Sequence, residues 1–413
     1  MRNTRQIRYS PLGKLNKIVI IFILLNCFCL TSFSQIKILF DATKAETAGN
    51  ADWVIDADSR NLGYGTGPAT PGTGNESNAQ RLPTPAQSGI NISTAETYWE
   101  GGLSFWGIDC VNQGYTVESL PYNGTISYGN MSNPQDLSNY NAFIVCEPNI
   151  LFTAAEKTAI LSFVANGGGL FMVSDHTVSD RNNDGHDSPE IWNDLMQNNS
   201  SGNNNPFGIL FDLQNFSQTS SNLAALPAND SILHGPMGNV LKVLWSNGTS
   251  ITIDPIANPA VKAIVYETSV IGATGNNKVM VASSRYGFGK VVAIGDSSPC
   301  DDGTGDPNDS LFPGYNGDVT PNHRHLLMNS TIWLVARDPR NYIFTGNGNW
   351  NVASNWIYNI VPPATLPSGD TITINNALGG QCILNITQNL SAGSIMKVSI
   401  GKKLLIPGFL MIQ

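Results

Sequence analysis

Short apolar runs recur along the chain, and several stop abruptly at an acid: 36–40 before Asp41, 142–146 before Glu147, 170–173 just ahead of Asp175, and 291–294 just ahead of Asp296. Runs of this length read as buried strands. Helical spacing lies between them. Trp99, Leu103, Trp106 and Cys110 recur at threes and fours over 94–112, and Gly114 would end that helix. Residues 115–120 alternate like a strand. Thr153 and Glu156 form a capping box that opens a helix over 154–166, with Ile160, Leu161 and Val164 on one side and Gly167 at its end. Further strands are expected at 262–267 and 278–283, with a tight turn at 286–290 and a closing helix over 326–335. The Gly-, Pro- and Asn-rich stretch 61–92 reads as a long loop, and the Asn- and Ser-rich stretch 198–235 as surface excursions.

Strands alternating with helices predict an α/β fold with a mostly parallel sheet covered on both faces. In such sheets ligands gather at the carboxyl ends of strands. Asp41, Glu147, Asp175 and Asp296 can therefore meet along one rim. The pattern changes near Pro339: short alternating strands at 371–374, 382–386, 395–400 and 403–406, with no helix, predict a small all-β, solenoid-like module. The expected organisation is 1–34 as a signal peptide, 35–338 as the α/β domain and 339–413 as the β module. No closing element is evident before Gln413, so further chain is expected.

The N-terminus changes where the protein should work. Arg2, Arg5, Arg8, Lys14 and Lys17 precede an apolar core at 18–30, and Ser32-Phe33-Ser34 offers small residues for cleavage, the anatomy of a secretory signal. That core is too short to span a membrane comfortably, so no integral segment is expected after cleavage by the export machinery. Losing five basic residues moves the formal charge from −9 to about −14. A balance this acidic argues against nucleic acid as partner and suits divalent cations, neutral glycans or other proteins. Cys110, Cys146, Cys300 and Cys382 remain, at spacings that show no disulfide framework.

The densest chemistry lies in 174–187, where Asp175, His176, Asp180, Asp184, His186 and Asp187 crowd behind Ser174. A bound cation would offset their repulsion. Asp180, Asn182 and Asp184 followed by Gly185 resemble the start of a Ca²⁺ loop, although Ile191 stands where its closing Glu would be; Glu190 or Asp187 could substitute, and an ion-free Asx-rich turn is the alternative. Asp175, His176, His186, Asp296 and the His323/His325 pair could instead hold Zn, Mn or Fe, a set suited to activating water. Ser174, at a strand-to-loop elbow, could serve as a nucleophile or merely cap the next segment. Asp301 and Asp302 lie in a second acidic, Gly-rich loop that could add ligands or simply turn in solvent.

The segment YNAFIVCEPNILFTAAEKTAILSFVANGGGLFMVSDH, residues 140–176, resembles the class I glutamine amidotransferase-like superfamily, especially its ThuA-like branch, and the later GFGKVVAIGDSS run agrees. The resemblance covers about 36–337 and implies a flavodoxin-like three-layer sandwich. True amidotransferases of that superfamily carry a Cys at the elbow with a distant His and Glu. Here the elbow reads Val173-Ser174-Asp175-His176 and the late histidines read His323-Arg324-His325, so glutamine hydrolysis is not expected. The tail, with Trp350 and Trp356, resembles β repeats of secreted, surface-attached bacterial proteins. Three functions stay open: a metal-assisted hydrolase using Asp175, His176 and Asp296 on an extracellular glycan or related polymer, a non-catalytic Ca²⁺-stabilised binding or adhesion protein, and an esterase or amidase using Ser174.

Overall fold

The computed structural model describes residues 35–46, 53–56, 87–99, 101–121, 123–303, 312–317 and 322–412. The signal-peptide expectation at 1–34 and most of the loop at 61–92 lie outside the described residues. Residues Ile36–Gln413 form one unit.

Its strands in chain order are β1 (Lys37–Asp41), β2 (Thr116–Leu120), β3 (Ala142–Cys146), β4 (Gly169–Val173), β5 (Ile209–Phe211), β6 (Phe216–Ser220), β7 (Val243–Gly248), β8 (Ile251–Ile253), β9 (Lys262–Tyr266), β10 (Val279–Tyr286) and β11 (Gly289–Ile294). A ten-stranded sheet runs β2-β1-β3-β4-β11-β10-β8-β5, with β9 branching from β10 and the short strand Asn222–Leu223 pairing with β9 in turn. The first five strands of that order are parallel. From β10 onward the pairing is antiparallel.

The parallel strands are apolar on both sides because both sides are covered. Ile38, Phe40, Ile144, Phe171 and Val173 enter one core, while Leu39, Phe143, Val145, Leu170 and Met172 enter the other. Helices α1 (Ser104–Asn112) and α4 (Asn322–Val335) close the first face, where Trp106 meets Phe40 and Phe171 edge-on at 5.5 and 5.1 Å. Arg324 clamps α4 to α1 through two 2.7 Å bonds to Asp109. The second face carries α2 (Ala154–Ala165) and α3 (Ser188–Gln197). Among the described residues no helix is long and apolar enough to cross a membrane.

Three expectations need correction. The helix read over 94–112 exists only as α1, preceded by a 3-10 turn at Glu96–Tyr98. Gly101 lies in the interruption, where the Val54 carbonyl approaches so closely that a Cβ would overlap the oxygen. The stretch 198–235 is not all excursion: β5 joins the main sheet and β6 pairs with β7. Its asparagines serve as turn anchors, with Asn205 Oδ1 accepting the Ile209 N–H at 2.9 Å. Helix α3 went unread, although Pro189 in its first turn and Ile191, Trp192, Leu195 and Met196 buried along one side mark it.

The tail coils three times. Asn341–Phe344, Thr371–Ile374 and Ile395–Val398 stack in one parallel sheet, Gly348–Asn349, Cys382–Ile383 and Leu404–Leu405 in a second, and Thr365–Leu366, Thr387–Leu390 and Phe409–Ile412 in a third. Phe344, Trp350 and Trp356 fill its interior with Ile372, Ile374 and Leu384.

Candidate functional site: a buried carboxylate rim

Each predicted rim acid stands where the sheet delivers it. Asp41 is the last residue of β1, Glu147 follows β3 directly, and Asp175 and Asp296 stand two residues beyond β4 and β11. All four are at most 3% exposed. The elbow after β4 is fixed from behind, since Trp192 Nε1 of α3 donates to the Val173 carbonyl at 3.0 Å. Glu147 turns under the rim with φ +50°, a left-handed backbone that a non-glycine residue adopts only when its surroundings impose it.

One guanidinium holds the centre. Arg181 Nε donates to Glu147 Oε1 at 2.9 Å, and Nη2 donates to Asp175 Oδ2 at 3.0 Å. Its cation also lies 5.6 Å from the Trp53 ring. Arg181 was not singled out from sequence, yet it is the only Lys or Arg in 174–187, the one compensating charge in an acidic run.

Arg181 does not offset all of the charge. Burial pushes the Asp175 carboxyl well above its usual range, and the neighbouring Glu147 and Asp296 charges push the same way against Arg181. Burial raises Asp296 to about 7, although the N–H groups of Ser298 and Ser246 donate to its two oxygens. Asp41 rises to about 6 by burial, partly offset by Lys44. Its hydrogen-bonded neighbour Glu46 is raised further, first by burial and then by the Asp41 charge. Protonated and ionised carboxyls therefore share this rim near neutral pH.

Unsatisfied polar atoms also lie beside the rim. Trp53 Nε1 and Asn149 Oδ1 are buried without a hydrogen-bond partner among the described residues. They belong to one patch: Asn149 donates through its backbone to Lys44 and through its side chain to the Ala45 and Glu147 carbonyls. Buried polar groups are rarely left unmatched unless water or a ligand completes them.

The other predicted residues divide. His176 stays at the rim, with Nε2 3.5 Å from Asp175 Oδ2 and Nδ1 beside Thr177 O and Asn215. Ser174 is wholly buried, and its hydroxyl donates to the Asp175 carbonyl at 3.4 Å rather than to an imidazole. Asp180 accepts the N–H groups of Asp184 and Gly185, Asn182 Oδ1 accepts that of Asp184, and Asp184 accepts that of His186. Asp187 accepts from Val178 and Ser179 N–H ahead of α3, and Glu190 faces His186 at 3.8 Å. The twelfth position of that loop, Ile191, is buried in the core. Asp301 accepts Gly303 and Phe312 N–H, and Asp302 accepts that of Phe105, so both tie their loop down beside α1; burial raises Asp301 as well.

The late histidines are engaged by backbone groups. His323 Nδ1 binds the Gly314 carbonyl and its Nε2 accepts the Leu244 N–H, which occupies both ring nitrogens. His325 binds the Asn239 carbonyl. Among the described residues no three His, Cys, Asp or Glu side chains are placed to hold a metal. The sequence placed these imidazoles with Asp175 and Asp296 because strand and helix ends alone do not reveal which backbone groups a ring will meet.

No family model matches the chain, and no curated protein matches it. Among solved structures it is similar to the mmIFT52 N-terminal domain, at 14% identity over 73% of this chain and 98% of that one, with a TM-score of 0.40. A cytoplasmic protein from Salmonella typhimurium is similar at 12% identity over 58% of this chain and 89% of that one, with a TM-score of 0.33. An exo-beta-1,4-mannosidase from an Opitutaceae bacterium is similar at 11% identity over 78% of this chain and 39% of that one, with a TM-score of 0.31. Likenesses this distant transfer neither a family nor an activity.

Proposed function

We propose that the rim is the acid–base centre of a hydrolase that acts on an extracellular glycan or related polymer. The observation that carries this reading is the set of buried strand-end carboxyls Asp41, Asp175 and Asp296, all raised by burial, with the Arg181 guanidinium bridging Asp175 to Glu147. Hydrolysis of a glycosidic bond needs one carboxyl that protonates the leaving oxygen and a second, ionised one that takes a proton from the attacking water or itself attacks the anomeric carbon, with pKa values pushed apart by their environments. In this reading Asp296 and Asp175 transfer protons, His176 orients Asp175, and Arg181 bridges Glu147 and Asp175 as a fixed anchor. The order β2-β1-β3-β4 followed by parallel β11 supports a flavodoxin-like, ThuA-like ancestry with a rebuilt elbow. The basic, apolar N-terminus and the Trp-bearing tail support export to the bacterial surface.

The test is reducing-end release from a panel of neutral and acidic polysaccharides by purified mature protein. Asp175→Asn and Asp296→Asn should each slow release by about 10²–10⁴-fold with the fold retained. Equal rates in wild type and both variants would remove the reading.

A second reading rests on a different observation: the rim acids are almost wholly buried, and the oxygens of Asp180, Asn182 and Asp184 organise a turn around Gly185 at φ +93°. Here the domain binds rather than cleaves, and Ca²⁺ held by those three side chains stiffens the loop. The fit is partial, because no acid occupies the twelfth position. Elemental analysis that finds Ca²⁺ in a protein without hydrolytic activity would favour it.

A further inference from the structure

At the opposite end of the sheet from the rim lies a cavity of about 460 Å³ between α2, the 200–203 turn, the β10–β11 hairpin and the tail. A second cavity, of about 370 Å³, adjoins it and shares Asn203, Tyr286 and Tyr358. The two form one groove with a pair of tyrosines at its middle. Their rings meet edge to face, 5.6 Å apart.

The groove is polar without being charged. Thr158, Ser162, Asn203 and Asn359 line it with hydroxyls and amides. The one charged lining residue, Arg285, is paired with Asp338. Tyr358 is held there against local preference: it and Asn359 are consecutive left-handed residues, with φ of 58° and 59°. Tyrosine gains nothing locally from that backbone, and such outliers persist only where the surroundings impose them. Trp356 does so here, buried two residues earlier against Phe344 and Trp350, with its indole N–H on the Trp350 carbonyl at 2.6 Å. The tail thus carries a half-exposed ring, two residues beyond a buried tryptophan, to the edge of the α/β domain.

We propose that this groove binds a neutral oligosaccharide. Aromatic faces accept the C–H surfaces of pyranose rings, and the surrounding amides and hydroxyls match sugar hydroxyls without selecting charge. The volume suits a few sugar units. This site is independent of the rim chemistry, since binding is read without turnover.

Isothermal titration calorimetry with cellohexaose, mannohexaose and xylohexaose tests it. At least one should bind wild type, and Tyr286→Ala and Tyr358→Gly should each weaken that binding at least ten-fold. Tyr358→Gly also separates binding from folding, because glycine accepts the left-handed backbone and should keep or raise the melting midpoint. Binding by none of the three, or unchanged affinity in both variants, overturns the proposal. Either result leaves the polysaccharide assay of the rim to stand or fall separately.

Discussion

Replacing Asp296 with Asn should change the sign of its effect on stability between acidic and alkaline pH. Asp296 is wholly buried and its carboxyl is raised from 3.8 to about 7. The folded protein therefore holds a proton that the unfolded chain has released, and stability falls as pH rises from about 4 to about 7. At about 1.4 kcal/mol per pH unit, the accumulated loss above pH 7 is on the order of 4 kcal/mol. Asn removes this loss, but it introduces another. Both Asp296 oxygens accept backbone N–H groups, from Ser298 at 2.8 Å and from Ser246 at 2.5 Å. The Asn amide presents one oxygen and one NH₂, so one of these N–H groups faces a donor, at about 1–3 kcal/mol. At pH 8 charge removal is the larger effect and the variant should be more stable by about 1–3 kcal/mol. At pH 4 only the mismatch remains, and the variant should be less stable by a similar amount. Urea unfolding at both pH values reads the difference. A stability change of the same sign and size at pH 4 and pH 8 refutes the reasoning.

Arg181→Met leaves Glu147 and Asp175 buried without their shared cation and should lower unfolding stability by about 3 kcal/mol, read as a shift in the urea midpoint; an unchanged midpoint would show that the guanidinium does not hold the rim. Thr153→Ala removes the hydroxyl that accepts the Glu156 N–H at the start of α2 and should cost about 1 kcal/mol in the same assay. If the Asp180 loop takes Ca²⁺, the ion at a hundredfold excess over its dissociation constant should add about 2.7 kcal/mol, and Asp180→Ala with Asp184→Ala should abolish that gain in calorimetric melts with CaCl₂ against EDTA; identical melts would empty the loop of that role.

The parallel half of the sheet was legible because β3 and β4 are apolar on both faces, and the acids that end the runs could then be placed by topology alone. Thr153 and Glu156 likewise marked α2 by a local hydrogen-bond exchange that needs no tertiary partner. What stayed hidden depends on contacts distant in sequence. Val54 packs on Gly101 where the expected 94–112 helix is interrupted, a contact that sequence spacing does not show. His323 looked available until Leu244 and Gly314 occupied its ring. Arg181 showed its charge in the sequence but not its aim, which the turn from Asp175 to Asn182 decides.

The central claim, that burial at the strand ends creates an acid able to exchange protons near neutral pH, is tested most directly by ¹³C NMR titration of the aspartate side-chain carboxyls, assigned with Asp175→Asn and Asp296→Asn. One resonance should titrate near pH 7 and vanish in Asp296→Asn, with Asp175 still protonated above the usual carboxylate range. Full ionisation of both carboxyls below pH 5 contradicts it.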